Sequence, residues 1–301
     1  MTVRESMKAL VFERYGSPDV LSLATVPRPL PLNGEVRVKV HATTVNRTDT
    51  ATLQAHPFFA RAMTGLVRPK MQVLGMDFAG EIDLLGEGVS AFELGDRVFG
   101  ISPDLFGAHA EYLCMPDDGA IAHIPKSLPY HKAVVGEGAW YANGTTQVLS
   151  EGKRCLIYGA SGAIGTAAVQ LAKARGAHVT AVVGTRHIDL PGPLGADRVV
   201  NYEIEDFTNL RETFHLVFDA VGETSFFECR HLLTEDGIFS ATDLGPGWSN
   251  IILSAFYGRT GSGRVRIPFP EDAPGFIRHL AGLMSNGKFH GGFFMYGAPV
   301  R

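Results

Sequence analysis

The stretch YGASGAIGTAAVQLAKARGAHVTAVVGTR, residues 158–186, decides the fold. CLIYGA (155–160) reads as a buried strand and HVTAVV (178–183) as a second one, with a helical stretch between them. In the dinucleotide fingerprint G-x-G-x-x-G, one glycine makes the tight turn. A second lets the backbone approach a pyrophosphate, and a third lets the helix lie close on the strand. On this turn Ala160 takes the first position, Gly162 the second and Gly165 the third, with Ser161, Ala163 and Ile164 between them. The helix that follows presents free N–H groups and its positive dipole end to phosphates. Ile164, Ala167, Ala168, Leu171 and Ala172 make its apolar stripe. A glycine-rich turn that binds nothing is the bland alternative, and the strand–turn–helix–strand order argues against it.

In an NAD site an acid at the end of the second strand accepts the ribose 2′-hydroxyl. Here that strand ends at Val183, followed by Gly184, Thr185 and Arg186. A hydroxyl and a guanidinium suit the extra phosphate of NADPH, through charge-assisted hydrogen bonds. The expected cofactor is therefore NADPH. The alternative leaves Arg186 in solvent and gives the ribose to Asp189.

Further along, residues 216–221 (LVFDAV) and 237–242 (GIFSAT) read as more strands. Strands alternating with helices imply a doubly wound parallel sheet, an α/β architecture. The first third differs. Residues 7–12 and 36–40 are short strands, and glycine turns punctuate 74–100, which suggests a small barrel-like β-domain. The expected division is 1–125, 126–285 and a short segment 286–301.

The chain has 301 residues, 45% of them hydrophobic and 19% charged, as in a folded protein rather than a disordered one. A net charge of -4 argues against nucleic acid or an anionic membrane as the main partner. No apolar run approaches a membrane span, and the start lacks a signal-peptide core. The expectation is a cytoplasmic protein. Cys114, Cys155 and Cys229 are far apart and read as small core side chains.

The motifs MKALVFERYGSPDVL, HATTVNRTD, LGMDFAGEI, LGDRVFG, GAHAEYLCMP, LGADRVVNY and FDAVG occur in order around the quoted stretch. With them the chain resembles the medium-chain dehydrogenase/reductase superfamily, in its zinc-independent, quinone-oxidoreductase-like branch. The resemblance implies a GroES-like β-domain plus a Rossmann domain, an active site in the cleft between them, and a homodimer. It also implies that Asn46 lines that cleft near the nicotinamide, with Asp49 on the same stretch, and that Tyr202 contacts the adenosine phosphate end. The bland readings are a turn-forming Asn46, a helix-start Asp49 and a surface Tyr202. Val221 closes the fourth strand beside the cofactor, and Thr242 ends the next. Phe58, Phe59, Trp140 and Tyr141 are candidates for an aromatic acceptor pocket.

Zinc-dependent members hold their metal on Cys and His. The corresponding regions here read VNRTD, Gly75-Met76-Asp77 and GEGAW, so no metal is expected. Asp77 and Glu137 alone make a poor zinc site. His41, His109 and His123 are scattered, without ligand spacing. Hydride transfer from NADPH to a small-molecule quinone or α,β-unsaturated carbonyl fits better than alcohol oxidation. Two alternatives remain, a non-catalytic NADPH-binding sensor or structural protein and a biosynthetic enoyl reductase acting on carrier-bound acyl chains. The chain also departs from the family. Pro191 and Pro193 should break the helix expected after Arg186. Glu137 is either a carboxylate facing the cleft or an exposed helix-start charge. The chain stops sooner after GKF than family members do.

Overall fold

Alternating apolar residues in the first third form strands whose inner faces share one core. The computed structural model describes residues 5–56, 61–103, 106–242, 249–259, 264–268 and 270–291. The first unit opens with the antiparallel hairpin of β1 (Ser6–Val11) and β2 (Ser22–Pro27). It continues through β3 (Glu35–Thr43), α1 (Arg47–Gln54), α2 (Arg61–Thr64), β4 (Asp77–Leu85), β5 (Arg97–Ile101), β6 (Tyr112–Pro116) and β7 (Ile121–His123). The last five strands make an antiparallel sheet in the order β6-β3-β4-β5-β7. Val36, Val38, Phe78, Ile82, Val98, Leu113 and Ile121 fill its core.

The chain divides into compact units after Glu137, not at 125. Residues 126–137 pack on the first unit for identifiable reasons. Arg97 Nη2 donates to the Leu128 carbonyl at 2.6 Å and lies over the Tyr130 ring. That ring stacks on His41 at 4.5 Å, at the start of α3 (Tyr130–Ala133).

The second unit takes most of α4 (Gly136–Thr146), then β8 (Arg154–Tyr158), α5 (Ala163–Ala174), β9 (His178–Val183), β10 (Arg198–Asn201) and β11 (Phe214–Asp219). After these come α6 (Phe226–Cys229), β12 (Leu233–Ala241), α7 (Ser249–Arg259) and the short β13 (Val265–Arg266). All six strands are parallel, in the order β10-β9-β8-β11-β12-β13. That is the Rossmann order, in which the chain starts at the middle of the sheet and winds to each side. No α-helix joins β9 to β10. The chain makes only a 3₁₀ turn at Thr185–His187, as Pro191 and Pro193 require.

Next, α8 (Ala273–Ser285) belongs to the first unit, although it was expected in the second. Residues 286–291 belong to the second unit, where His290 N–H donates to Gln170 Oε1 and Gln170 Nε2 donates back to the His290 carbonyl. The remainder of the segment expected at 286–301 lies outside the described residues.

Cys155 and Cys229 are buried, Cys114 is half-buried, and all three are free thiols. Burial pushes each of them up to about 12. No helix among the described residues is long and apolar enough to cross a membrane.

In the second core Phe239 is fully buried with Leu156, Val217 and Leu232, and its ring meets Phe226 edge-on at 6.3 Å. Truncating it opens a cavity between the sheet and α6. Phe239→Ala should destabilise the protein by about 3–5 kcal/mol, read from the urea unfolding midpoint.

Candidate functional site

The carboxyl ends of β8, β9, β10, β11 and β12 form one edge, and ligands of doubly wound sheets bind outside that edge. At β8 the chain turns through Gly159, whose φ is +74°. The tight turn thus falls one residue before Ala160, which is buried and filled by its own methyl group. A Cβ on Gly165 would lie 2.1 Å from the Gly159 carbonyl oxygen, so only glycine lets α5 approach β8 this closely. A Cβ on Gly162 would meet nothing nearer than 3.5 Å, which leaves the backbone open for a phosphate. Gly162 is the N-cap of α5, and no side chain caps that end. The N–H groups of Ala163, Ile164 and Gly165 stand in the first turn, where an α-helix supplies no partner of its own. The turn fits a dinucleotide pyrophosphate.

The remaining expected residues lie along the same edge. Val221 Cγ2 packs against Gly159, leaving no room for a side chain there. Buried Asp219, at the end of β11, holds the loop that carries Val221. Its oxygens accept from the backbone N–H groups of Val221, Gly222 and Thr224 and from the Thr224 hydroxyl. Thr242 N–H donates to the Asp219 carbonyl at 3.0 Å, which draws the end of β12 beside β11.

At the end of β9 the structure places an acid that the linear reading missed. The Thr185 hydroxyl donates to Glu203 Oε2 at 2.8 Å and accepts from Asn201 Nδ2 at 2.8 Å. A Cβ on Gly184 would lie 2.6 Å from Glu203 Oε1 and 2.9 Å from Tyr202 Oη. Tyr202 is exposed, and its ring centroid lies 5.9 Å from that of Tyr158. Glu203, two residues beyond β10, is thus an acid beside Thr185.

The first unit carries a separate cluster of buried carboxyl groups. Asn46 caps α1 in a capping box, in which its Oδ1 accepts from Asp49 N–H and Asp49 Oδ2 accepts from Asn46 N–H. The other Asp49 oxygen accepts from Gly75 N–H. Asp49 is thus the helix-start carboxylate of the bland reading, and Asn46 is the N-cap rather than a turn former. Asn46 Nδ2 is buried without a well-aligned hydrogen-bond partner, and it lies near enough to Glu137 to oppose that group's upward shift. Gly75 has φ +92°, and a Cβ there would press on His109 at 2.6 Å. His109 joins this group as a packed side chain. Its Nε2 donates to the Thr44 carbonyl at 2.8 Å and lies 4.0 Å from Asp49 Oδ2.

Asp77 and Glu137 lie beside this cap, both buried. Asp77 accepts from the Thr44 hydroxyl and from Glu137 N–H, each at 2.7 Å. Glu137 Oε1 accepts from the Thr48 hydroxyl. Burial raises Glu137 to about 8, with the nearby charge of Asp77 adding to the effect and the Thr48 bond opposing it. Burial raises Asp77 to about 6, against the Thr44 bond. The pair titrates as a unit and keeps a proton at neutral pH. The reading of Glu137 as an exposed helix-start charge does not hold. Among the described residues no group of three or more His, Cys, Asp or Glu is arranged to hold a metal ion.

Of the residues expected in an aromatic pocket, Trp140 and Tyr141 are described. Trp140 Nε1 donates to the Glu271 carbonyl, and Trp140 meets Tyr141 edge-on at 6.0 Å. Phe58 and Phe59 lie outside the described residues.

The second unit defines a Rossmann-type α/β protein. Residues 32–126 match the alcohol dehydrogenase GroES-like domain family, and residues 163–257 match the zinc-binding dehydrogenase family. The chain is 30% identical to the quinone-oxidoreductase homolog, chloroplastic, of Spinacia oleracea, over 87% of its length and 82% of that protein. It is 34% identical to NAD(P)H oxidoreductase RTN4IP1, mitochondrial, of Danio rerio over 73% of its length, and spans 62% of that relative. The structure of the quinone oxidoreductase from Coxiella burnetii superimposes with a TM-score of 0.79 at 27% identity, over 94% of this chain and 89% of that one. The chain belongs to the medium-chain dehydrogenase/reductase superfamily, in its quinone-oxidoreductase-like branch.

Because the folded state binds the Glu137 proton more tightly than the unfolded chain, stability falls as pH rises between the ordinary value of 4.5 and about 8. Asp77 adds to the lower part of that window, between 3.8 and about 6. Thermal melting from pH 5 to pH 8.5 should show the decline, and Glu137→Gln should flatten it above pH 6. An equal slope in the variant would remove Glu137 as the source.

Proposed function

We propose that this protein is a nicotinamide-nucleotide-dependent reductase that passes hydride to a quinone or an α,β-unsaturated carbonyl without zinc. The observation that carries this reading is the Asp77–Glu137 pair. A two-electron reduction by hydride consumes one proton per turnover, and this pair stores one in a buried site. Such a pair serves proton delivery better than metal binding, because Thr44, Thr48 and a backbone N–H bond to three of its four oxygens. The names of relatives in the quinone-oxidoreductase branch support the acceptor class.

The nucleotide, when bound, supplies the hydride. Ser161, Gly162, Ala163, Ile164 and Gly165 hold its pyrophosphate. Ala160 and Val221 pack behind the turn, Thr242 borders the site at β12, and Tyr202 flanks the adenosine. Exposed Arg186 is the group that favours the NADPH form, while the Thr185 hydroxyl is already bonded to Glu203. The buried Nδ2 of Asn46 donates to the acceptor oxygen as negative charge develops there. Asp49 has both oxygens committed and acts through Asn46, as a positioning residue.

The test is reduced-nucleotide consumption by the purified protein with a panel of quinones and enones, before and after dialysis against a chelator. Turnover should survive chelation and fall as pH rises through about 8, the Glu137 value. Glu137→Gln should lower kcat on the order of 10²-fold with nucleotide affinity unchanged. Wild-type turnover with the same pH profile in that variant would sink the proton-donor role. Activity lost on chelation and restored by zinc would sink the metal-free reading.

A further inference from the structure

We propose that Glu203 sets the choice between the two nicotinamide nucleotides, by placing beside Thr185 the carboxylate that the end of β9 lacks. The inference rests on the reading that this edge holds the adenosine end of the cofactor. Three observations carry it. The Glu203 carboxylate is bonded to the Thr185 hydroxyl at 2.8 Å, so it occupies the neutral group that would otherwise receive a 2′-phosphate. Its other oxygen lies against Gly184, where any side chain would collide with it. Its own N–H donates to Asn201 Oδ1 at 3.0 Å, and Asn201 Nδ2 donates to Thr185, so the three residues form a closed ring of hydrogen bonds.

The position follows from sheet register. Asn201 pairs with Val183 in the parallel β10–β9 ladder, so the residues leaving β10 lie beside those leaving β9. A carboxylate there accepts hydrogen bonds from a ribose diol and repels a phosphate. Arg186, next to Thr185 and exposed, pulls the other way. Glu203 thus lets NADH bind at least as well as NADPH at an edge that would otherwise select NADPH.

The experiment is equilibrium binding of NADH and NADPH, read from the fluorescence of the reduced nicotinamide, to the wild type, Glu203→Gln and Glu203→Ala. The glutamine can still accept from Thr185, so it removes the charge and keeps the hydrogen-bond ring, while alanine removes both. Glu203 is exposed, and thermal melting checks that both variants stay folded. The wild type should bind NADH no more weakly than NADPH. Both variants should shift the affinity ratio toward NADPH on the order of tenfold, as expected for like charges in contact in a water-exposed site. If the wild type prefers NADPH and the ratio is unchanged in both variants, the role of Glu203 is overturned while the nucleotide reading stands. If only alanine shifts the ratio, Glu203 is a brace and the charge argument fails. If the folded wild type binds neither nucleotide, the proposed function falls and this inference falls with it.

Discussion

The approach of Gly165 to the carbonyl of Gly159 is the contact on which the sheet edge depends. A methyl group at 165 would sit 2.1 Å from that oxygen. Its absence lets α5 start directly against the end of β8 and aim its first N–H groups outward. The other loops are then arranged around a fixed point. Val221 leans on Gly159, Asp219 pins the loop carrying Val221, and Thr242 is bonded back to Asp219. Backbone sterics and one buried carboxylate thus shape most of the edge.

The first unit solves a different problem. Three carboxyl groups, Asp49, Asp77 and Glu137, lie buried together, and His109 beside them spends its Nε2 proton on the Thr44 carbonyl. Full ionisation would crowd like charges at low dielectric, so keeping a proton costs less. Hydrogen bonds oppose the effect of burial at both groups. Asp77 takes one hydroxyl and one backbone donor, while Glu137 takes the Thr48 hydroxyl and is the more strongly raised of the two.

Local features of the fold were readable from the chain. Apolar runs mark β8, β9, β11 and β12, the 3.6-residue stripe marks α5, and two prolines mark the missing helix after Arg186. Features created by pairing were not. β10 offers only RVVN, too little to stand out, and the proximity of Glu203 to Thr185 exists only because Asn201 aligns with Val183. His109 reaches Asp49 across a separation that no local pattern spans. The tight turn at Gly159 lies one residue before the first motif position, because the G-x-G-x-x-G spacing selects Ala160 and only the backbone angle shows which residue turns. The unit boundary was placed early because residues 126–137 carry no compositional sign of packing on β3 and β5.

The three thiols acquire a further meaning beside the proposed chemistry. Quinones and enones are electrophiles that add to thiolates. With each thiol raised to about 12, only on the order of one molecule in 10⁵ carries a given thiolate at pH 7. A protein that processes such acceptors would thereby be spared alkylation by its own substrates, since the same burial that packs Cys155 and Cys229 into the core leaves them chemically silent.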